Sequence, residues 1–292
     1  MRGMEQAVAR LQIPLEWISL MPFFQSLASG SSANCGILTD GSAGILMDLG
    51  LTPKRLAESL GEIGFSAEGI RNAVLTHTHS DHWKDTTLSW MASKGIRLWC
   101  HESHAAHLRH HARSFQRLME LDLVNHFQPD CPFRPGHGWD FHPIHLSHDC
   151  VPTFGFRCEN HAGSMAYLAD LGTSDNLPWG QLGDLQAIAI ESNHDPEMLE
   201  RSSRPVQVID RIRSDHGHLS NLQCAEAASR FSKISGGKLA SVLLLHLSRD
   251  CNTHQLALDS AREHLDSQIS PEAVSVAPQD RASIPIRFGK AA

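Results

Sequence analysis

Residues 76–82 read Thr-His-Thr-His-Ser-Asp-His and follow directly on the apolar run Ala73-Val74-Leu75. His77, His79, Asp81 and His82 therefore sit where a buried strand leaves its sheet. Side chains two apart on an extended chain point the same way, so His77 and His79 can reach one metal ion from one side. Asp81 and His82 lie past the strand end and can face a second point a few ångströms away. Imidazole suits zinc, iron and manganese, and a nearby carboxylate widens the choice. The competing reading is a solvated polar loop. So many ligand-type residues in so short a run favour the metal.

A two-metal site needs more ligands, and they belong at strand ends as the first cluster does. His148 follows a strand expected over 141–146, Asp170 follows one expected over 164–168 in Leu-Ala-Asp-Leu-Gly, and His246 lies inside Leu-Leu-Leu-His-Leu-Ser. Each alone is a weak signal, because a lone histidine in an apolar strand is more often a satisfied core residue. At successive strand ends they reinforce one another.

The elements that must position these residues can be read from periodicity and punctuation. A first strand is expected over 17–24, and a hairpin over 35–39 and 44–47 around Asp40-Gly41. Thr52 and Pro53 open a helix running to 63. A helix over 86–93 stops at Gly95, a strand follows over 96–100, and 101–120 is helical again. Further strands are expected over 141–146, 153–158, 164–168, 187–190 and 241–247, with helices over 224–232 and 253–265 and terminal strands over 273–276 and 284–288. Many short strands with interspersed helices and no linker predict one domain of two packed sheets with helices outside. Residues 1–16 read as an N-terminal extension and 17–292 as that single domain; no internal repeat is visible.

The 292 residues suffice for a full core, with 41% hydrophobic and 20% charged side chains. The formal net charge of −7 argues against non-specific wrapping of nucleic acid, though not against a local basic strip. The cysteine count is odd, the 7 cysteines are scattered, and none forms a Cys-x-x-Cys pair, which favours reduced thiols. Glu5, Arg10 and Glu16 interrupt the N-terminal apolar residues, and nothing approaches a membrane span. The expectation is a soluble cytoplasmic protein.

The order His-x-His-x-Asp-His, then His, then Asp, then His resembles the metallo-β-lactamase superfamily of binuclear hydrolases, over roughly 18–255. The resemblance implies an α/β fold of the αββα four-layer sandwich type. It also implies two divalent metal ions, zinc in the first place with manganese or iron as alternatives. His77, His79 and His148 would hold one, Asp81, His82 and His246 the other, and Asp170 would bridge them. Ser-Gly-Ser-Ser-Ala-Asn at 29–34, Glu-Ser-Asn-His-Asp at 191–195, Gly-His-Leu-Ser-Asn at 217–221 and His-Leu-Ser-Arg-Asp-Cys-Asn at 246–252 are similar to the YycJ/WalJ-type branch, which is linked with nuclease-like phosphodiester hydrolysis. Two residues depart from pattern: Asp85 stands where the superfamily usually has glycine, and Cys251 where the branch tends to have asparagine.

Two divalent ions can activate a shared water at neutral pH, which suits phosphodiesters, esters, thioesters and lactams alike. On this reading Asp81 and Asp170 belong to the catalytic machinery. His218 is either a phosphate contact or proton donor, or part of a helix-capping turn. Asn34, Ser248, Arg249 and Asn252 are candidate substrate contacts, Asn34 with an equal claim to a turn role. Arg249 could hold a phosphate or be a solvated arginine. Glu191 and His194 could orient ligand histidines. The His101–Arg117 run reads chiefly as a solvated helical face, with a nucleic-acid strip or adventitious metal binding as the alternatives. Arg201, Arg204, Arg211 and Arg213 form a second basic stretch that favours an anionic substrate, DNA or RNA among them. The leading expectation is a metal-dependent phosphodiesterase or nuclease. A small-molecule hydrolase (thioesterase, lactonase or cyclic phosphodiesterase) and a non-catalytic metal-binding regulator are the alternatives.

Overall fold

The computed structural model describes residues 22–150, 152–265 and 269–289. The extension expected over 1–16 and the start of the strand expected over 17–24 lie outside them. From there β1 (Phe23–Ala28) pairs antiparallel with β2 (Cys35–Thr39), and β2 with β3 (Gly44–Met47), giving the expected hairpin. Asp40 builds its turn by accepting a bond from the Ser42 N–H at 2.9 Å. α1 (Pro53–Glu62) carries the chain back so that β4 (Ile70–Val74) joins β3 in parallel. α2 (Asp85–Lys94) closes on Gly95 at φ 66°, the left-handed conformation glycine adopts freely. β5 (Arg97–Cys100) and β6 (Val124–His126) extend the parallel set. The helical run expected over 101–120 breaks into α3 (Glu102–His111) and α4 (Phe115–Glu120).

The second half reverses the scheme. β7 (Phe133–Gly136), β8 (Trp139–Leu146), β9 (Thr153–Glu159) and β10 (Ser164–Leu168) run antiparallel. β11 (Ala187–Glu191), β12 (Ser241–Leu245) and β13 (Val274–Val276) then add in parallel. Between β11 and β12 come α5 (Pro196–Glu200), α6 (Val206–Arg213) and α7 (Asn221–Ile234); α8 (His254–His264) connects β12 to β13. β14 (Ile286–Arg287) returns to pair with β1. The sheets are ordered β14-β1-β2-β3-β4-β5-β6 and β13-β12-β11-β10-β9-β8-β7.

Three apolar layers make this the expected αββα sandwich. Leu56, Leu88, Met91, Leu108 and Phe115 of α1–α4 pack on the outer face of the first sheet. Ala227 and Phe231 of α7 and Ala257 of α8 pack on the second. Between the sheets lie Phe24, Met47, Phe141, Phe154, Phe156 and Tyr167. Each large aromatic buried there contributes roughly 1.5–3 kcal/mol. The alternation of strand side chains sorts the layers: in β4 Ala73 faces the helices and Val74 the facing sheet.

Four elements escaped the sequence reading. β6 and β7 are short edge strands with too few buried residues to show a period. α5 and α6 bury only Leu199 and Ile212 respectively. One boundary matters for the site. The strand expected over 241–247 stops at Leu245, so His246 lies just past its end rather than inside it.

Candidate metal centre

β3, β4, β10, β11 and β12 release the chain at one edge of the two sheets. Asp48 follows β3, Thr76–His82 follow β4, Asp170 follows β10, Glu191 ends β11 and His246 follows β12. Asp48, Asp170 and His246 have φ of 64°, 55° and 56°. A non-glycine residue there is strained, and such strain is typical of residues held for function. These left-handed turns end the strands and bring the side chains to the sheet edge.

The predicted ligands converge. His77, His79, His148 and Asp170 each offer a ligand atom, all within 4.8 Å of one another, and Asp81, His82, Asp170 and His246 do the same. Asp170 is common to both groups. Its Oδ2 lies 3.2 Å from His77 Nε2 and 2.8 Å from His82 Nε2. A third group joins Asp170 and His246 to Glu191 and His218. His77 Nε2, Asp170 Oδ1 and His246 Nε2 are buried without a hydrogen-bond partner. His246 Nδ1 is 2.7 Å from that Asp170 oxygen, but its hydrogen bond runs to Glu191 Oε1 at 2.8 Å. Each unsatisfied buried atom costs about 1–3 kcal/mol, and coordination of a cation would remove that cost. The nitrogen-rich set with a shared carboxylate fits divalent metal ions.

The groups behind the candidate ligands fix their orientation. Asp48 Oδ2 is 2.9 Å from His82 Nδ1. Asp48 also accepts from the Thr76 N–H at 2.9 Å and the Tyr167 hydroxyl at 3.2 Å. His148 Nδ1 donates to the Gly217 carbonyl at 2.9 Å. Glu191 Oε1 receives both His246 Nδ1, at 2.8 Å, and His218 Nδ1, at 2.7 Å. A proton held on Nδ1 leaves Nε2 for the metal.

Burial, reinforced by neighbouring His82, pushes His77 well below its ordinary pKa. Burial opposes ionisation of Asp170, yet His246 and His82 hold it well below the carboxylate range. Glu191 is brought to about 2 against burial by His218 and His246. Burial disfavours charge on His82 and His246 too, but Asp48 and Asp170, respectively, lead the carboxylates that raise them well above 6.5. A divalent cation in this carboxylate-rich pocket would take over the role of those protons.

The other predicted site residues separate into two groups. His218 lines the cleft over the ligands, its ring centroid 5.1 Å from that of His148 and 5.2 Å from that of His246. Ser248 also lines the cleft. Asn34 has the turn role, its Oδ1 accepting from the Gly30 N–H at 2.9 Å; its Nδ2 donates to Asp81 Oδ2 at 3.0 Å, and it is not among the cleft-lining residues described. Asn252 is buried and its Nδ2 is directed to the Ser192 and Asn193 carbonyls at 2.9 and 3.0 Å, so it holds the loop together. Arg249 pairs with Asp280 at 2.7 Å and is not among the cleft-lining residues described. Ser220 caps α7 reciprocally with Gln223. His194 binds through its backbone, its carbonyl accepting from the Asn221 N–H at 2.8 Å.

Asp85 is not among the cleft-lining residues described. Its carboxylate accepts from the Ser114 N–H at 2.8 Å and the Ser114 hydroxyl at 3.0 Å, tying the start of α2 to that of α4. Cys251 packs with Leu199 and Ile212. In the histidine-rich run, His101 and His104 form a capping box for α3, while the His107 and His111 rings pack tilted, their centroids 4.2 Å apart. Each arginine of the basic stretch has a carboxylate partner: Arg201 pairs with Glu197, Arg204 with Asp250, Arg211 with Asp149 and Arg213 with Glu200.

Asp48 was not among the expected site residues. The available signal was the tetrapeptide form Met-Asp-Leu-Gly at 47–50, which recurs as Ala-Asp-Leu-Gly at 169–172. Asp149 was missed as well; its Oδ1 is 3.3 Å from His148 Nε2 and 3.5 Å from His79 Nε2.

The chain is similar to known proteins over most of its length. A family model described as Beta-lactamase superfamily domain matches residues 37–246. Exodeoxyribonuclease WalJ of Streptococcus pneumoniae serotype 2 is 30% identical over 241 residues, covering 80% of this chain and 84% of that protein. Exodeoxyribonuclease YycJ of Bacillus anthracis is 26% identical over 253 residues, covering 84% and 89%. Among solved structures, the metallo-beta-lactamase fold protein YhfI of Bacillus subtilis is similar with a TM-score of 0.64 at 15% identity, over 90% of this chain and 99% of that one. Among the described residues no helix is long and apolar enough to cross a membrane.

Proposed function

The chain belongs to the beta-lactamase superfamily, and from that premise we propose that it is a metal-dependent phosphodiesterase that degrades DNA, as an exodeoxyribonuclease. The observation that carries the reading is the pair of ligand groups sharing Asp170 at the base of an open cleft. The names of the Streptococcus pneumoniae and Bacillus anthracis relatives support DNA as the substrate. His77, His79, His148 and Asp170 would hold one ion, and Asp81, His82, Asp170 and His246 a second, zinc or manganese. When bound, such a pair supplies water activated at neutral pH and stabilisation of charge on phosphate oxygens.

The chain's own groups then do the remaining work. Asp170 spans both positions and fixes them relative to each other. Glu191 holds His218 beside the two ligand histidines His148 and His246, where it can give a proton to a leaving oxygen. A small-molecule hydrolase is the second reading, favoured by the modest cleft of about 290 Å³. The test is a substrate panel: protein loaded with zinc or manganese, labelled DNA and RNA, and small esters and lactones. Progressive shortening of DNA, absent in His79→Ala, is expected. Rapid turnover of an ester or lactone with DNA left intact would overturn the reading.

A further inference from the structure

Resting on the nuclease reading and deepening it, we propose that Arg204 and Arg211 form a phosphate-binding wall. They take backbone phosphates next to the one at the metal centre and so select a polynucleotide over a small phosphodiester. Both line the cleft that holds His79, Asp81, Asp170 and His246. Among the described residues lining it, they are the two that carry a lysine or arginine charge. Arg204 immediately precedes Pro205, the cap of α6, and Arg211 lies in its last turn, so they reach the cleft from the two ends of one helix. Leu199, Val208 and Ile212 flank them with apolar surface.

Both guanidinium groups keep capacity for a ligand. Arg211 is 56% exposed and meets one carboxylate, Asp149, through Nε. Arg204 meets Asp250 through Nη2 at 3.0 Å, while its buried Nε has no partner. A guanidinium offers five N–H donors and binds phosphate bidentately, and its ion pair with a carboxylate near the surface is weak. A phosphodiester can therefore take over either arginine from its carboxylate. The chain's formal charge of −7 makes such local cations necessary for a polyanion to approach the carboxylate-lined centre. Arg249, held by Asp280, is not part of this wall.

Arg204→Gln and Arg211→Gln, each checked by thermal melting, test the assignment with Arg249→Gln as the control for loss of a charge. KM for an oligonucleotide should rise roughly 5–10-fold in each wall variant. The loss on bis(p-nitrophenyl) phosphate, which has a single phosphate, should be several-fold smaller. Oligonucleotide binding followed by fluorescence anisotropy in chelator should lose about one unit of salt slope per arginine removed. Arg204→Lys should recover most of that slope, and Arg249→Gln should match the parent protein. Equal losses on both substrates, unchanged salt slopes, or a larger defect in Arg249→Gln would overturn the proposal. If Arg204→Gln melts early, the more exposed Arg211 carries the test. A parent protein that cuts no DNA defeats the nuclease reading and the wall with it. A parent that cuts DNA beside wall variants that bind and cut like it defeats the wall alone.

Discussion

Asp48 meets the candidate metal ligand His82 from behind, its Oδ2 2.9 Å from His82 Nδ1, and neither side chain reaches solvent. The carboxylate orients the ring so that Nε2 faces the cluster around Asp170, 2.8 Å away. Asp48→Asn keeps the shape and removes the charge that pairs with the imidazole. Loss of such an orienting partner costs roughly 10–100-fold in metal affinity. Competition with a chromogenic chelator should show that loss in Asp48→Asn. An affinity equal to that of the parent protein would remove Asp48 from the positioning role.

A second prediction concerns pH and lies in the histidine-rich helix. His104 is buried; its Nδ1 accepts from the His101 N–H at 3.3 Å, and its Nε2 donates to the Pro152 carbonyl at 2.9 Å. The first bond requires a neutral ring, and the second places its proton on Nε2. Burial lowers its pKa from 6.5 to about 4. The unfolded chain therefore takes up this proton before the folded chain does. The stabilising contribution is complete above the unfolded value of 6.5 and is lost as pH falls through about 4. A shift of that size is worth roughly 3 kcal/mol. Denaturant unfolding at several pH values should show the parent losing about that much more than His104→Gln between neutral pH and pH 4. Parallel profiles would refute it.

The two predictions show where the sequence was legible. His77, His79, Asp81 and His82 could be read because they are local to one strand end, and the turn signals at Asp40, Pro53 and Gly95 are local too. Asp48 looked like any turn residue, because its partners Thr76, His82 and Tyr167 are remote in sequence. The Asp-Leu-Gly form it shares with Asp170 carries a physical demand. A Cβ on Gly50 would lie 1.9 Å from the Asp81 carbonyl oxygen, and one on Gly172 2.3 Å from that of Asp215. Close chain approach at both strand ends thus requires glycine, and the aspartate two residues earlier takes the left-handed turn. The arginines of 201–213 were visible as a charge run, but Asp149 and Asp250, which pair with two of them, come from other loops. No local pattern reports that compensation.

The departure at Asp85 gives a third prediction. Asp85→Gly restores the residue more usual for the resemblance and removes the acceptor of two bonds from Ser114. It also places glycine at the first position of α2. Stability should fall by about 1–3 kcal/mol in denaturant unfolding, since the Ser114 groups lose their partner. Metal content and DNA cleavage should stay close to those of the parent, because the contact joins α2 to α4. A cleavage defect larger than the stability loss accounts for would place Asp85 in the substrate path.

The role of His218 separates chemistry from metal binding. Burial works against charge on this ring, but Glu191, 2.7 Å from Nδ1, outweighs it and raises the pKa above 6.5. His218 lines the cleft, so this ring is placed to give a proton to a leaving oxygen. Cleavage of DNA expels a poor leaving group, a sugar oxygen that needs a proton, whereas p-nitrophenolate leaves without one. His218→Ala should therefore lower kcat on DNA by roughly 10²–10⁴-fold, the usual range for general acid catalysis. Its loss on bis(p-nitrophenyl) phosphate should be far smaller, and elemental analysis should find the same metal content as in the parent. Equal losses on the two substrates would instead assign His218 to phosphate binding. Lost metal would make it a ligand through the group it forms with Asp170, Glu191 and His246.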